Sequence, residues 1–160
     1  MEIKYLNVDI RDFKPDDDHF YLIAHGVNCQ NAFGAGFAGA IAEMWPEVKR
    51  RYHAYPKKSL RSVLSVVVSD NVIVANCFTQ RDYGRDGKVY ADKNAIYTCL
   101  RKCFDHAQNE IRKRPVSILM PKIGTGFGGL DWEEDVLPIV ESLIEKYEHS
   151  NIKLYIIDNK

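Results

Sequence analysis

The sequence predicts an α/β domain, a mixed central sheet with helices on both faces. Three observations lead there. Short β-branched runs alternate with longer segments of helical periodicity along the whole chain. Two of those runs meet across "SDN", which predicts a hairpin and so an antiparallel pair within the sheet. Two other runs pass into glycine-rich joints that open helical patterns, the order of a strand–loop–helix unit.

In chain order, "IKYLNVDI" near the start reads as the first strand and "FYLIAHGV" at 20–27 as the second. Helical patterns follow at about 35–45 and 46–55. "SVLSVVVSD" at 62–70 and "NVIVANCF" at 71–78 form the predicted hairpin. A long helix is expected over 92–113, where Ile96, Leu100, Cys103, Phe104, Ala107 and Ile111 recur at helical spacing. "VSILMPKI" at 116–123 is the next strand, 131–148 the last helix, and "KLYIID" at 153–158 the last strand. Pro138 lies inside that last helical pattern, where it must kink or restart the helix.

A chain of 160 residues suits one domain, 1–160, built on a single core. Lysine plus arginine equal aspartate plus glutamate at 22 each, so no global field holds a nucleic-acid backbone. The N-terminus has no basic region followed by an apolar run, and no stretch approaches the ~18 apolar residues of a membrane span. Neither a signal peptide nor a membrane partner is expected. Cys29, Cys77, Cys99 and Cys103 show no CxxC spacing, which argues against zinc and a disulfide framework and for reduced thiols in a cytoplasm.

The chemistry concentrates in the two glycine-rich joints. "AHGVNCQNAFGAGFAGAIAE" leads from the second strand through Asn28 to Gly34, Ala35, Gly36 and Phe37. "IGTGFGGLDWEE" places four glycines within Gly124, Thr125, Gly126, Phe127, Gly128 and Gly129. Each glycine costs roughly 0.5–1 kcal/mol of folding entropy relative to alanine, so a compensating role is expected. Backbone N–H groups at the start of a helix attract anions, and glycine lets them approach closely. Two such loops suit a diphosphate clasped from both sides. Asp131 has the position of a helix N-cap, with Glu134 completing a capping-box-like pattern. Asp92 reads as the cap of the long helix.

The order "VDI", "AHGVNCQNAFGAGFA", "IGTGFGGLDW" resembles the macro domain, the ADP-ribose-binding fold, over most of the chain. That resemblance implies a three-layer α/β/α sandwich with a mixed central sheet, and ADP-ribose or ADP-ribose-1''-phosphate as ligand. No acidic–histidine cluster in the sequence suggests a metal site, and no cofactor is expected. It gives Asp9 the adenine amino group, the Ile10 amide the phosphate region or base, Asn28 the distal ribose, and the two glycine loops the phosphates. "AHGVNC" is similar to the matching segment of yeast-type ADP-ribose-1''-phosphate phosphatases, which implies a catalytic role for His25, a residue that titrates near neutrality. The family's lysine-dependent glycohydrolases carry a lysine where this chain has Gln80, and some carry an aspartate where it has Gly128. Both departures speak against that activity, and Arg81 stays protonated and cannot serve as a nucleophile.

Two alternatives stay open: a reader of ADP-ribose, poly-ADP-ribose or RNA, and a hydrolase that frees ADP-ribose from macromolecules. "WPEVKRRYHAYPKK" at 45–58 has the cations for RNA, although overall neutrality favours a solvated helix face. The segment 80–96 reads as a surface hairpin or a flap over the ligand, with Asp82, Tyr83 and Asp92 as further candidate groups. Nothing in the sequence identifies an oligomeric partner.

Overall fold

In the computed structural model, which describes residues 1–158, the β-branched runs pair into one sheet. Its strands are β1 (Ile3–Leu6), β2 (Phe20–Asn28), β3 (Val63–Ser69), β4 (Val72–Gln80), β5 (Val116–Pro121) and β6 (Lys153–Ile157), in the spatial order β1-β6-β5-β2-β4-β3. Only the β3–β4 pair is antiparallel, and the remaining neighbours run parallel. The predicted hairpin is therefore present at one edge. No helix is long and apolar enough to cross a membrane among the described residues.

The helices are α1 (Gly36–Met44), α2 (Pro46–Ala54), α3 (Lys93–Glu110) and α4 (Leu137–Lys146). Alternation along the central strands splits the core between the two faces. Phe20, Leu22 and Ala24 of β2, with Ile73, Ala75 and Cys77 of β4, join the cluster that contains residues of α3 and α4. Tyr21, Ile23 and Val27, with Val72, Val74 and Phe78, join the cluster under α1 and α2. Fully burying one such Leu, Ile or Phe contributes about 1.5–3 kcal/mol.

Along α3 the spacing read from the sequence holds: Ile96, Leu100, Cys103, Phe104 and Ala107 are buried, and Ile111 packs at the margin. Asp92 caps this helix by accepting from Ala95 N at 2.9 Å. The four cysteines are free, with Cys77 and Cys103 sulfurs 3.9 Å apart. Two expectations need correction. The first strand stops at Leu6, and Ile10–Asp12 forms a 3-10 turn with Asp9 as N-cap. The capping box is made differently: Asp131 accepts from Glu134 N at 2.8 Å, but Asp131 N donates to the Asp135 carboxylate and not to that of Glu134. The last helix restarts at Pro138 as expected, because a residue without an N–H is accommodated in the first turn of α4, preceded by a π-helical turn at Trp132–Val136.

Candidate ligand-binding cleft

The carboxyl ends of β2, β4 and β5 border a cleft of about 860 Å³. Its walls are Asn28 and Ala32 to Ala38 on one side and Lys122 to Gly128 on the other, with Thr79, Gln80 and Tyr83 to Arg85 at the end. Asn28, Gly34, Ala35, Gly36 and Phe37 of the first loop, and Gly124, Thr125, Gly126, Phe127 and Gly128 of the second, all line it, as does His25. Ligands collect at this end of a parallel sheet because helix N-termini point there. The N-cap of α1 is Ala35, whose side chain makes no capping bond, so the first N–H groups of that helix have no side-chain cap, and its first residues line the cleft.

The glycines divide into two kinds. Gly36 and Gly126 sit at φ +56 and +62, and a Cβ added to either would meet nothing within 4 Å. Their open side leaves the loop backbone approachable. Gly26, Gly39, Gly84, Gly124 and Gly129 instead make room within the protein. A Cβ on Gly129 would lie 2.6 Å from the Lys88 carbonyl oxygen, and one on Gly39 2.7 Å from that of Gly34. Gly128 is buried, and its carbonyl oxygen accepts from Tyr90 N and Ala91 N at 2.9 and 3.0 Å. The 80–91 segment is thus fastened to the second loop at its base. Its tip brings Arg85 over the exposed Phe127 ring at 4.8 Å.

A bulge at Val27/Asn28 breaks the β2–β4 register where the first loop begins. Asn28 organises that loop: its Nδ2 donates to the Ala32 carbonyl at 2.8 Å, and its Oδ1 accepts from Gln30 N and Ala32 N. The buried Tyr52 on α2 donates to the Asn28 backbone oxygen at 2.7 Å and lies 3.0 Å from its Oδ1. Burial pushes the Tyr52 phenol up to about 12, so it remains a donor at neutral pH. One turn of helix keeps the loop root in place, and one Nδ2 hydrogen of Asn28 is left over.

His25 and Asn76 are directly paired in the β2–β4 register, and both are buried. His25 Nε2 is 2.6 Å from Asn76 Oδ1, while Asn76 Nδ2 donates to the Leu64 carbonyl at 3.0 Å. That second bond fixes which end of the amide faces the histidine. Oδ1 can only accept, so Nε2 carries the proton and Nδ1 is bare. Nδ1 has no partner, and neither does Thr79 Oγ1. The only other unpartnered buried side-chain atoms among the described residues, Glu110 Oε2 and Arg114 Nε, lie 3.5 Å from each other as an ion pair. Both isolated polar atoms belong to residues that line the cleft. Burial holds the His25 imidazole down to about 4, against the smaller opposing effect of the Asn76 bond, so the ring is neutral at pH 7. Thr79, Gly39 and Asn76 went unnoticed in the sequence, because no local pattern marks a residue whose partner is on another element.

Asp9 and Ile10 are not part of the cleft lining. Asp9 is clasped by Arg11, whose guanidinium approaches to 2.7 Å and holds the carboxyl below its usual range. Ile10 is buried in the core under α1 and α2. Gln80 and Tyr83 do line the cleft, and Gln80 Nε2 donates to the Asp82 carbonyl at 2.8 Å. The basic run is dispersed. Lys49 faces the cleft, Lys58 bonds to the Tyr55 carbonyl at 2.6 Å, and Arg50, Arg51 and Lys57 point to solvent. One set of potential metal ligands unforeseen in the sequence, Asp16, Asp18 and His19, gathers within 4.8 Å before β2, at the end away from the cleft.

Fold and site together define an α/β/α sandwich with a cleft at its strand ends lined by two glycine-rich loops. An ADP-ribose 1''-phosphate phosphatase of Candida albicans is 28% identical over 142 residues, covering 85% of this chain and 87% of that protein. A solved structure of a protein of unknown function from Bacteroides thetaiotaomicron matches with a TM-score of 0.79 at 27% identity, over 99% of this chain and 98% of the other. A macrodomain protein from Streptomyces coelicolor matches at 0.77 and 25% identity, over 99% and 100%. No family model matches the chain. The chain has the fold of these macrodomain structures, and the sandwich expected from its motifs is borne out.

Proposed function

We propose that the cleft binds ADP-ribose and hydrolyses ADP-ribose-1''-phosphate to ADP-ribose and phosphate. The observation that carries this reading is His25, which lines the same cleft as the two glycine loops and whose buried Nδ1 has no partner. The loops supply backbone donors for the diphosphate, and the α1 N-terminus adds a favourable field worth about 0.3–1 kcal/mol, more when partly buried. In the hydrolysis a water attacks phosphorus and loses a proton to His25 Nδ1. The P–O1'' bond breaks, and the departing ribose oxygen takes up a proton from solvent. A neutral imidazole fits the accepting role and not that of general acid. The name of the Candida albicans relative agrees with this substrate.

The test combines calorimetry with ADP-ribose and phosphate release from its 1''-phosphate in the presence of EDTA. The expected result is binding together with slow, chelator-insensitive release. Binding without release would leave a non-catalytic reader, the reading favoured by the burial of His25 to 1% exposure. With Gln80 in place of the lysine, the protein should not free ADP-ribose from glutamate or thymidine; robust turnover of either would overturn that assignment.

Gly36→Val and Gly126→Val report on the loops themselves. Each places a branched side chain at positive φ, costing about 1–2 kcal/mol, and projects it into open space beside the loop. Both variants should stay folded by circular dichroism and show no calorimetric binding of ADP-ribose. Parent-like affinity in a folded variant would remove the diphosphate from these loops.

A further inference from the structure

Helix α2 supports the first loop from below through successive residues. Tyr52 holds Asn28 at the root, and His53 shares a hydrogen bond of 2.8 Å with Asn31, which stands at φ +62. Lys49, one turn earlier on the same helix face, extends to the far part of the loop: its Nζ is 3.6 Å from the point where a Gly34 Cβ would stand. Its neighbours are spoken for, but Lys49 is not: among the described residues no carboxylate lies within ion-pair distance, and the side chain lines the cleft. A cation left unpaired beside an uncapped helix N-terminus is a second source of positive charge at the same end of the site.

The sheet order indicates which part of a ligand it meets. Asp9 follows β1 at one edge of the sheet, whereas α2 packs on β3 at the other edge. The two glycine loops follow the adjacent central strands β2 and β5. A ligand with its diphosphate between the loops therefore has one end toward β1 and the other toward α2, and the ribose implied for Asn28, which Tyr52 of α2 holds, lies at the Lys49 end. We propose that Lys49 is a specificity-determining residue, reading an extra anionic group on that ribose and so distinguishing a phosphomonoester from plain ADP-ribose. This rests on the ADP-ribose reading above.

The probes are ADP-ribose and a non-hydrolysable phosphonate analogue of its 1''-phosphate, titrated calorimetrically into the parent, Lys49→Met and Lys49→Arg at two salt concentrations. A charge-assisted contact of this kind is expected to be worth about tenfold or more in affinity. Lys49→Met should lose that factor for the phosphonate and less than about threefold for ADP-ribose, with the parent's preference weakening in high salt. Lys49→Arg should keep most of the preference. Equal losses for both ligands would assign Lys49 to the diphosphate, and no loss would make it a solvated helix residue; either result overturns the proposal. A parent that binds ADP-ribose but does not favour the phosphonate overturns it while leaving the ADP-ribose reading intact. A parent that binds neither overturns both.

Discussion

His25→Gln will lower phosphate release by about 10²–10⁴-fold while ADP-ribose still binds within a few-fold of the parent. Glutamine keeps an N–H for Asn76 Oδ1, so the β2–β4 contact survives, but it offers no basic nitrogen. His25→Ala is the harsher control. It leaves a void and an unsatisfied amide oxygen, and should cost several kcal/mol of stability besides the activity. Because burial lowers the His25 imidazole to about 4, a base at Nδ1 is already unprotonated at pH 6, and the parent rate should be flat from pH 6 to 8 as far as this group is concerned. A parent-like rate in His25→Gln would make the histidine a structural residue, and a silent parent would leave the binding-only reading.

The same burial gives the second large effect, on stability. In the unfolded chain His25 takes up a proton around pH 6.5, while in the folded chain it resists until about pH 4. Protonation therefore favours unfolding, so its stabilising contribution is complete above pH 6.5 and is lost as pH falls toward 4. The expected loss is about 3 kcal/mol across that window. Urea unfolding of the parent and His25→Gln at pH 7.5 and pH 4.5 measures it as a difference, which cancels carboxylate effects common to both. Parallel acid curves would show that the ring is hydrated or already charged in the native protein.

Much of this molecule was legible in its sequence, for reasons specific to each element. The hairpin declared itself through "SDN" between two β-branched runs, and α3 through the spacing from Ile96 to Ala107. Gly36 and Gly126 were found because an exposed positive-φ position between strand and helix demands glycine. Gly39, Gly128 and Gly129 were a different matter. They look the same in the sequence, but they serve packing against Gly34, the Tyr90–Ala91 backbone and Lys88, contacts that exist only after folding. His25 was singled out, yet its tautomer depends on Asn76 and on the Leu64 carbonyl, each on another strand. Asp9 was visible as a carboxylate at a strand end, but its clasp by Arg11 depends on a 3-10 turn that no apolar period announces.

The pairing of β1 with β6 alone has a consequence for how the protein is made. On the ribosome β1 emerges first and then waits, without a neighbouring strand, until Lys153–Ile157 has left the exit tunnel. At ordinary elongation rates of roughly 5–20 residues per second, that interval lasts on the order of ten seconds. Throughout it, Ile3 and Leu6 have no sheet partner to cover them. β2, β3, β4 and β5 can meanwhile assemble with both glycine loops in place. Asp9, translated long before β6, is thus among the last to be seated.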